Sequence, residues 1–163
     1  MSAIIEARAG AILNHLIAWA QEEVVCQEQL LVALGTQAKA AHQRMPEAIE
    51  ESTEGVDACL AGSHERSMRR ERLFHQLGVL WGVAPRSLSL TSILLRAGEG
   101  YETLAELRDQ LRVLATQVRT TGRKVQNLLR LHQRITTEII DSVLGDQRQD
   151  SLDRSGALLD AEV

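Results

Sequence analysis

The chain has 163 residues, enough to bury roughly two-thirds of its unfolded surface as one domain without metal or disulfide staples. Apolar residues make up 44% of it and aromatic residues only 2%, so the core must be assembled from Leu, Ile, Val and Ala, which suits packed helices better than sheets. A formal charge of -4 excludes an overall polycation built for nucleic acid or for an anionic membrane.

The opening stretch MSAIIEARAGAILNHLIAWA has no basic leader and is interrupted by Asn14 and His15, which argues against a signal peptide or a membrane span. Ile5, Ile12, Trp19, Cys26, Ala33 and Ala40 recur every seven residues, with Ala9, Leu16 and Leu30 between them. This spacing predicts a long amphipathic helix ending near Arg44. Cys26 falls on that stripe, where burial would leave its thiol inert. With Cys59 it makes two cysteines and no CxxC pair, the usage of a reducing compartment.

Pro46 opens a second helix, PEAIEESTEGVDACLAG, whose start carries Glu47, Glu50, Glu51, Glu54 and Asp57 and no base. Proline at a first helical position followed by acids suits a helix N-terminus. The pattern continues through Arg66, Arg69, Arg70 and Arg72 to Leu73, Leu77 and Leu80, with Gly55 and Gly62 each weakening it by about 1 kcal/mol if exposed. Gly78, Gly82 and Pro85 end this helix. Ser87 or Ser89 caps a short one with an apolar face of Leu90, Ile93 and Leu94, and Gly98 and Gly100 close it.

From Tyr101 onward Leu104, Leu107, Leu111, Leu114, Val118 and Thr121 hold alternating spacings of three and four, continued by Val125, Leu128, His132, Ile135, Ile139 and Ser142. This predicts a last helix of about 45 residues, or 65 Å. Residues 146–163 carry five acids and two bases without a sustained period and read as an acidic flexible tail, with a weak docking turn at Leu158 and Leu159. The expected fold is all-α: an elongated antiparallel bundle of three long helices over residues 1–145, with a short helix in the linker before the last. Three helices leave a thin core, so a partner or a second copy is the natural source of a fourth.

No catalytic constellation stands in the sequence. Histidines 15, 42, 64, 75 and 132 are scattered, and Glu71 with His75 is a single pair of a kind common on helices. The GxSxG, GxGxxG and GxxxxGK patterns are absent, and GEG at 98–100 reads as a helix boundary. The expectation is therefore a non-enzyme with no metal and no cofactor. Between Asp109 and Glu138 the last helix carries Arg112, Arg119, Arg123, Lys124, Arg130 and Arg134 and no acid. Complementarity to the acidic start of the second helix is the simplest account. An acidic or amphipathic protein partner comes next, and a nucleic-acid stripe, lacking interleaved aromatics, last. Leu128, Leu129, Leu131, Ile135, Ile139, Ile140 and Val143 widen the apolar face beyond a strict seam, as core packing or a partner's groove would require. His132 and Ser142 are polar occupants of that seam, able to register a client helix or to sit at a wet edge.

The linker LGVLWGVAPRSLSLTSIL and the opening ETLAELRDQLRVLATQV of the last helix, between two long helical runs, resemble the FlgN family of flagellar export chaperones. Where that family has two asparagines three apart, this chain has His132 and Ile135, followed by Ile139, Ser142 and Val143. Leu152, Gly156 and Leu158 to Asp160 are similar to the family's ending. The resemblance implies a cytoplasmic chaperone that binds the C-terminal amphipathic helices of hook-associated proteins, prevents their premature assembly and brings them to the export gate. The client surface it implies comprises Val125, Leu128, Leu129, Leu131, His132, Ile135, Ile139, Ser142 and Val143. No nucleic acid and no membrane insertion are implied. A self-associating structural bundle and a chaperone of a non-flagellar secretion system remain as alternatives, and a homodimer stays open.

Overall fold

The computed structural model describes the backbone over 3–159 and side chains over 5–143. The described residues are all-helical, without a strand. Helix α1 runs Ala3–Gln43 (41 residues) and buries Ala9, Leu13, Leu16, Ala20, Val24, Leu30, Leu34 and Ala41 along one face. Arg44 then takes a left-handed φ of 58° and Met45 an extended conformation, as a residue before proline must. Pro46 opens α2, Pro46–Leu60.

The second helix expected over Pro46 to Leu80 is in fact two. Gly62 adopts φ 77°, a left-handed conformation that costs glycine little and breaks the helical run. Its carbonyl accepts from Arg66 N at 3.0 Å, and α3, Ser63–Trp81, starts there. Gly55, the other weak point, is absorbed within α2. A 3-10 turn at Pro85–Ser87 follows, then α4, Leu90–Ala97, opened by a reciprocal capping box between Ser89 and Ser92. Helix α5 spans Glu102–Leu159, 58 residues or about 87 Å. It continues as helix past Gly145, where the sequence pattern ends, while the side chains of 144–163, including the proposed docking turn at Leu158 and Leu159, lie outside the described residues.

Contacts fix the directions of the helices. Gln37 of α1 bonds Thr53 of α2, whereas Glu22 and Glu23 bond Arg69 and Arg66 of α3, so the α2–α3 arm runs back along α1. Helix α5 advances in step with α1: Tyr101 stands beside Gly10, and Val125 shares a cluster with Leu30 and Leu34. Helix α1 is thus the member against which α2, α3 and α5 all pack, and α4 packs on α5.

The core is in two parts. The larger joins Leu13, Leu16, Trp19, Ala20 and Val24 of α1 with Leu73 and Leu77 of α3, Leu88, Ile93 of α4, and Leu104 and Leu107 of α5. The smaller joins Leu30, Leu34 and Val125, with Val56, Cys59, Val118 and Leu129 against them. Between the two, at core-facing phases of α1, stand Glu23 and Gln27, bonded to each other at 2.6 Å. Glu23 also takes the Arg66 guanidinium at 3.0 Å, both side chains being largely buried. This polar layer lies beside the first turn of α3, just beyond the Gly62 break.

Candidate functional site

The surface expected from sequence begins inside the distal core, at Val125, and runs outward along α5 into residues that are progressively exposed. Among the described residues Leu129 is the last of α5 in either core cluster, and α1 ends at Gln43. At 100° per residue Leu128, His132, Ile135, Ile139 and Ser142 fall within an arc of about 80°, which Leu131 and Val143 widen to about 120°, the width of a core-facing stripe. Yet Leu131, Ile139, Ile140 and Val143 are 53%, 58%, 50% and 54% exposed. Leu128, Leu129, His132 and Ile135 are half-buried, and Ser142 is exposed. Val125 differs from the rest of the set: at 3% exposure it belongs to the protein's own distal core. The site read from sequence therefore divides into an inner member already covered, Val125, and an outer face that runs from Leu128 to Val143.

The basic run on the same helix does not meet the acidic start of α2. Glu47, Glu50, Glu51, Glu54 and Asp57 are all exposed, and among the described residues none forms an ion pair. Arg112, Arg119, Arg123, Lys124 and Arg130 are equally exposed and unpaired among the described residues, while Arg134 holds Glu138 one turn along at 2.9 Å. The complementarity expected from sequence is replaced by two opposite charge patches facing solvent. Among the described residues the ion pairs that do join helices are Arg66–Glu23 and Arg69–Glu22, both between α3 and α1.

A concave feature elsewhere on the molecule was not expected. Helices α3 and α5 stand apart over the polar layer and leave a groove of about 1320 Å³. Its floor includes Trp19, whose indole N–H donates to the Arg66 carbonyl at 3.0 Å, with Phe74 and Leu111 to either side. The 3-10 turn at Pro85 and the buried Leu88 line it as well. Sequence reasoning placed Trp19 in a core stripe and did not group it with Phe74 and Leu111. The signal that could have found the groove is the pair Glu23 and Gln27, polar residues at phases of α1 that elsewhere carry Leu16, Ala20 and Leu34.

Cys26 and Cys59 are both free thiols and half-buried. Among the described residues no group of three or more His, Cys, Asp or Glu side chains is placed to hold a metal ion, and no helix is long and apolar enough to cross a membrane. What the geometry offers is two surfaces of helical dimensions, the outer face of α5 and the α3–α5 groove, both suited to receiving an amphipathic segment. No protein-family model, curated protein or solved structure matches the chain.

Proposed function

We propose that this protein is a helix-binding export chaperone of the flagellar type, which covers the C-terminal amphipathic helices of hook-associated proteins and passes them to the export gate. One observation carries the reading: the face from Leu128 to Val143, as broad as a core stripe, belongs to a helix whose neighbours leave its outer residues exposed. Polymerisation helices present a matching apolar stripe, and burying the two faces together stabilises a complex without any chemistry. In this proposal α1, the broken α2–α3 arm and α5 serve as the three arms of an elongated bundle, and the outer part of α5 takes the client as a fourth. The linker and the opening of α5, which resemble the FlgN family, supply the flagellar assignment. The protein acts in the cytoplasm, without a catalytic step or a cofactor.

Replacing Leu128 and Ile135 together with Asp tests the assignment. A well-buried interface anchor contributes on the order of 2 kcal/mol, so client affinity should fall by far more than tenfold. Because both residues are half-buried, the pair Leu131→Asp and Ile139→Asp serves as a companion variant on more exposed ground. Variants that stay helical and bind client as the wild type does would show that this face is not the client site.

A further inference from the structure

We propose that the groove between α3 and α5 is a second docking site, for an acidic amphipathic helix from another protein. Three observations lead there: its size, its apolar floor and the sign of its banks.

The volume, about 1320 Å³, exceeds the roughly 300–1,000 Å³ typical of small-ligand pockets. A cylinder of a helix's ~10 Å diameter and that volume is about 17 Å long, or about eleven residues. Three turns place an i, i+3, i+4, i+7 set of anchors against the floor. The apolar surface it offers is that of the half-buried Phe74, Leu90 and Leu111, which the buried Trp19 and Leu88 tie to the larger core, with Glu23 and Gln27 as a polar strip beside them.

The banks are basic on both sides. Arg70 and Arg72 stand on α3, Arg86 on the 3-10 turn, and Arg108 and Arg112 on α5. Two acids share the lining, Glu23 and Glu71, and Glu23 is already taken by Arg66. Arg108 is paired with its neighbour Asp109 at 2.8 Å. Arg70 and Arg72 reach only the Ser67 hydroxyl and the Met68 carbonyl, both at 3.4 Å, and neither they nor Arg86 and Arg112 have a carboxylate partner among the described residues. An apolar floor between two arginine banks selects a helix with an apolar stripe and Asp or Glu on both flanks, since guanidinium groups favour paired, planar recognition of carboxylates. Nucleic acid suits the groove less well: with Trp19 buried, Phe74 alone of the lining's large aromatics is open to stacking, and Glu71 would face the phosphates. The site is separate from the outer face of α5 and does not depend on the chaperone reading.

The test is fluorescence anisotropy of the full chain with a labelled fourteen-residue helical peptide carrying Leu at the stripe positions and Glu on both flanks. A Lys-flanked twin and a scrambled peptide of the same composition are the controls. The acidic amphipathic peptide should bind at least tenfold more tightly than either control. The double reversal Arg70→Glu with Arg112→Glu, one from each bank, should weaken it at least tenfold while helicity is retained. Ala115→Trp, at an exposed lining position on α5, should block it sterically. The Leu131→Asp, Ile139→Asp variant should bind it normally, which separates failure here from failure of the chaperone reading. Equal binding of acidic and basic peptides, no binding of either, or indifference to the charge reversal would overturn the proposal. So would tighter binding of a single-stranded oligonucleotide through the same arginines, or a homodimer abolished by Ala115→Trp.

Discussion

Changing Gly78 to Ala isolates the contact between α3 and the turn at Pro85, a residue that lines the groove. Gly78 lies in the last part of α3, and its carbonyl accepts from Val83 N at 2.9 Å, folding the chain back toward the 3-10 turn. A Cβ at this position would stand 2.9 Å from the Val83 carbonyl oxygen, 3.0 Å from Pro85 Cγ and 3.3 Å from Pro85 Cα. Two of these three neighbours are backbone atoms, so relief requires moving the whole turn and stretching that hydrogen bond. Overpacking costs about 1–3 kcal/mol, and with two backbone atoms in the way the middle of that range, about 2 kcal/mol, applies, of which the intrinsic gain of Ala over Gly in a helix returns up to about 1 kcal/mol. The expected net loss is about 1–2 kcal/mol, or a fall of about 2–8 °C in Tm for a chain of this size. Gly55 and Gly122 are the internal controls: each lies within a helix with nothing inside 4 Å of an added Cβ, so the same substitution should stabilise by about 0.5–1 kcal/mol. Urea unfolding followed by far-ultraviolet circular dichroism measures all three. A Gly78→Ala protein as stable as the wild type would refute the reasoning, because the turn would then have to be free to move.

Three further outcomes follow from the packing. Leu16→Ala, at a fully buried site in the larger core, should lose about 2–5 kcal/mol in denaturant unfolding, whereas Leu131→Ala on the outer face of α5 should stay within about 0.5 kcal/mol of wild type. Glu22→Gln removes an ion pair whose side chains are 47% and 43% exposed and should change stability by less than about 1 kcal/mol. Glu23→Gln leaves Arg66 without its carboxylate in a largely buried layer, and a thermal melt should show it to be the more damaging of the two. Arg44→Gly relieves a left-handed backbone at the end of α1 and should raise stability by about 0.5–1 kcal/mol, so a fall in the urea midpoint would contradict that account.

Helical character was legible because the apolar positions repeat at three and four over long stretches and the two prolines fall at helix boundaries. The boundary near Arg44 was legible for the same reason. The seven-residue series from Ile5 to Ala40 was less informative than it looked. A straight helix drifts about 20° per heptad against such a repeat, so the series slides toward the edge of the buried face. Trp19 and Ala40 are buried and Ile5, Ile12, Cys26 and Ala33 half-buried, so the series marks one edge of the buried face, whose central line is carried by Leu13, Leu16, Ala20 and Leu34. Gly62 was recognised as weak, but propensity alone cannot say whether a glycine is absorbed, as Gly55 is, or turned left-handed. Charge complementarity between α2 and α5 was inferred from composition, yet pairing depends on which faces meet, and these patches both face solvent. For the candidate site, Leu131, Ile139 and Val143 were legible as an apolar excess. The interior place of Val125 was not, because it depends on where Leu30 and Leu34 fall along α1.

The most direct test of the helix-binding account is co-purification with hook-associated proteins, with and without their C-terminal helices, scored by size exclusion with light scattering. The account predicts a soluble stoichiometric complex that disappears when the client helix is removed and when Leu131 and Ile139 are changed to Asp. A stable homodimer that ignores every such client, its interface formed by the outer face of α5, would contradict it.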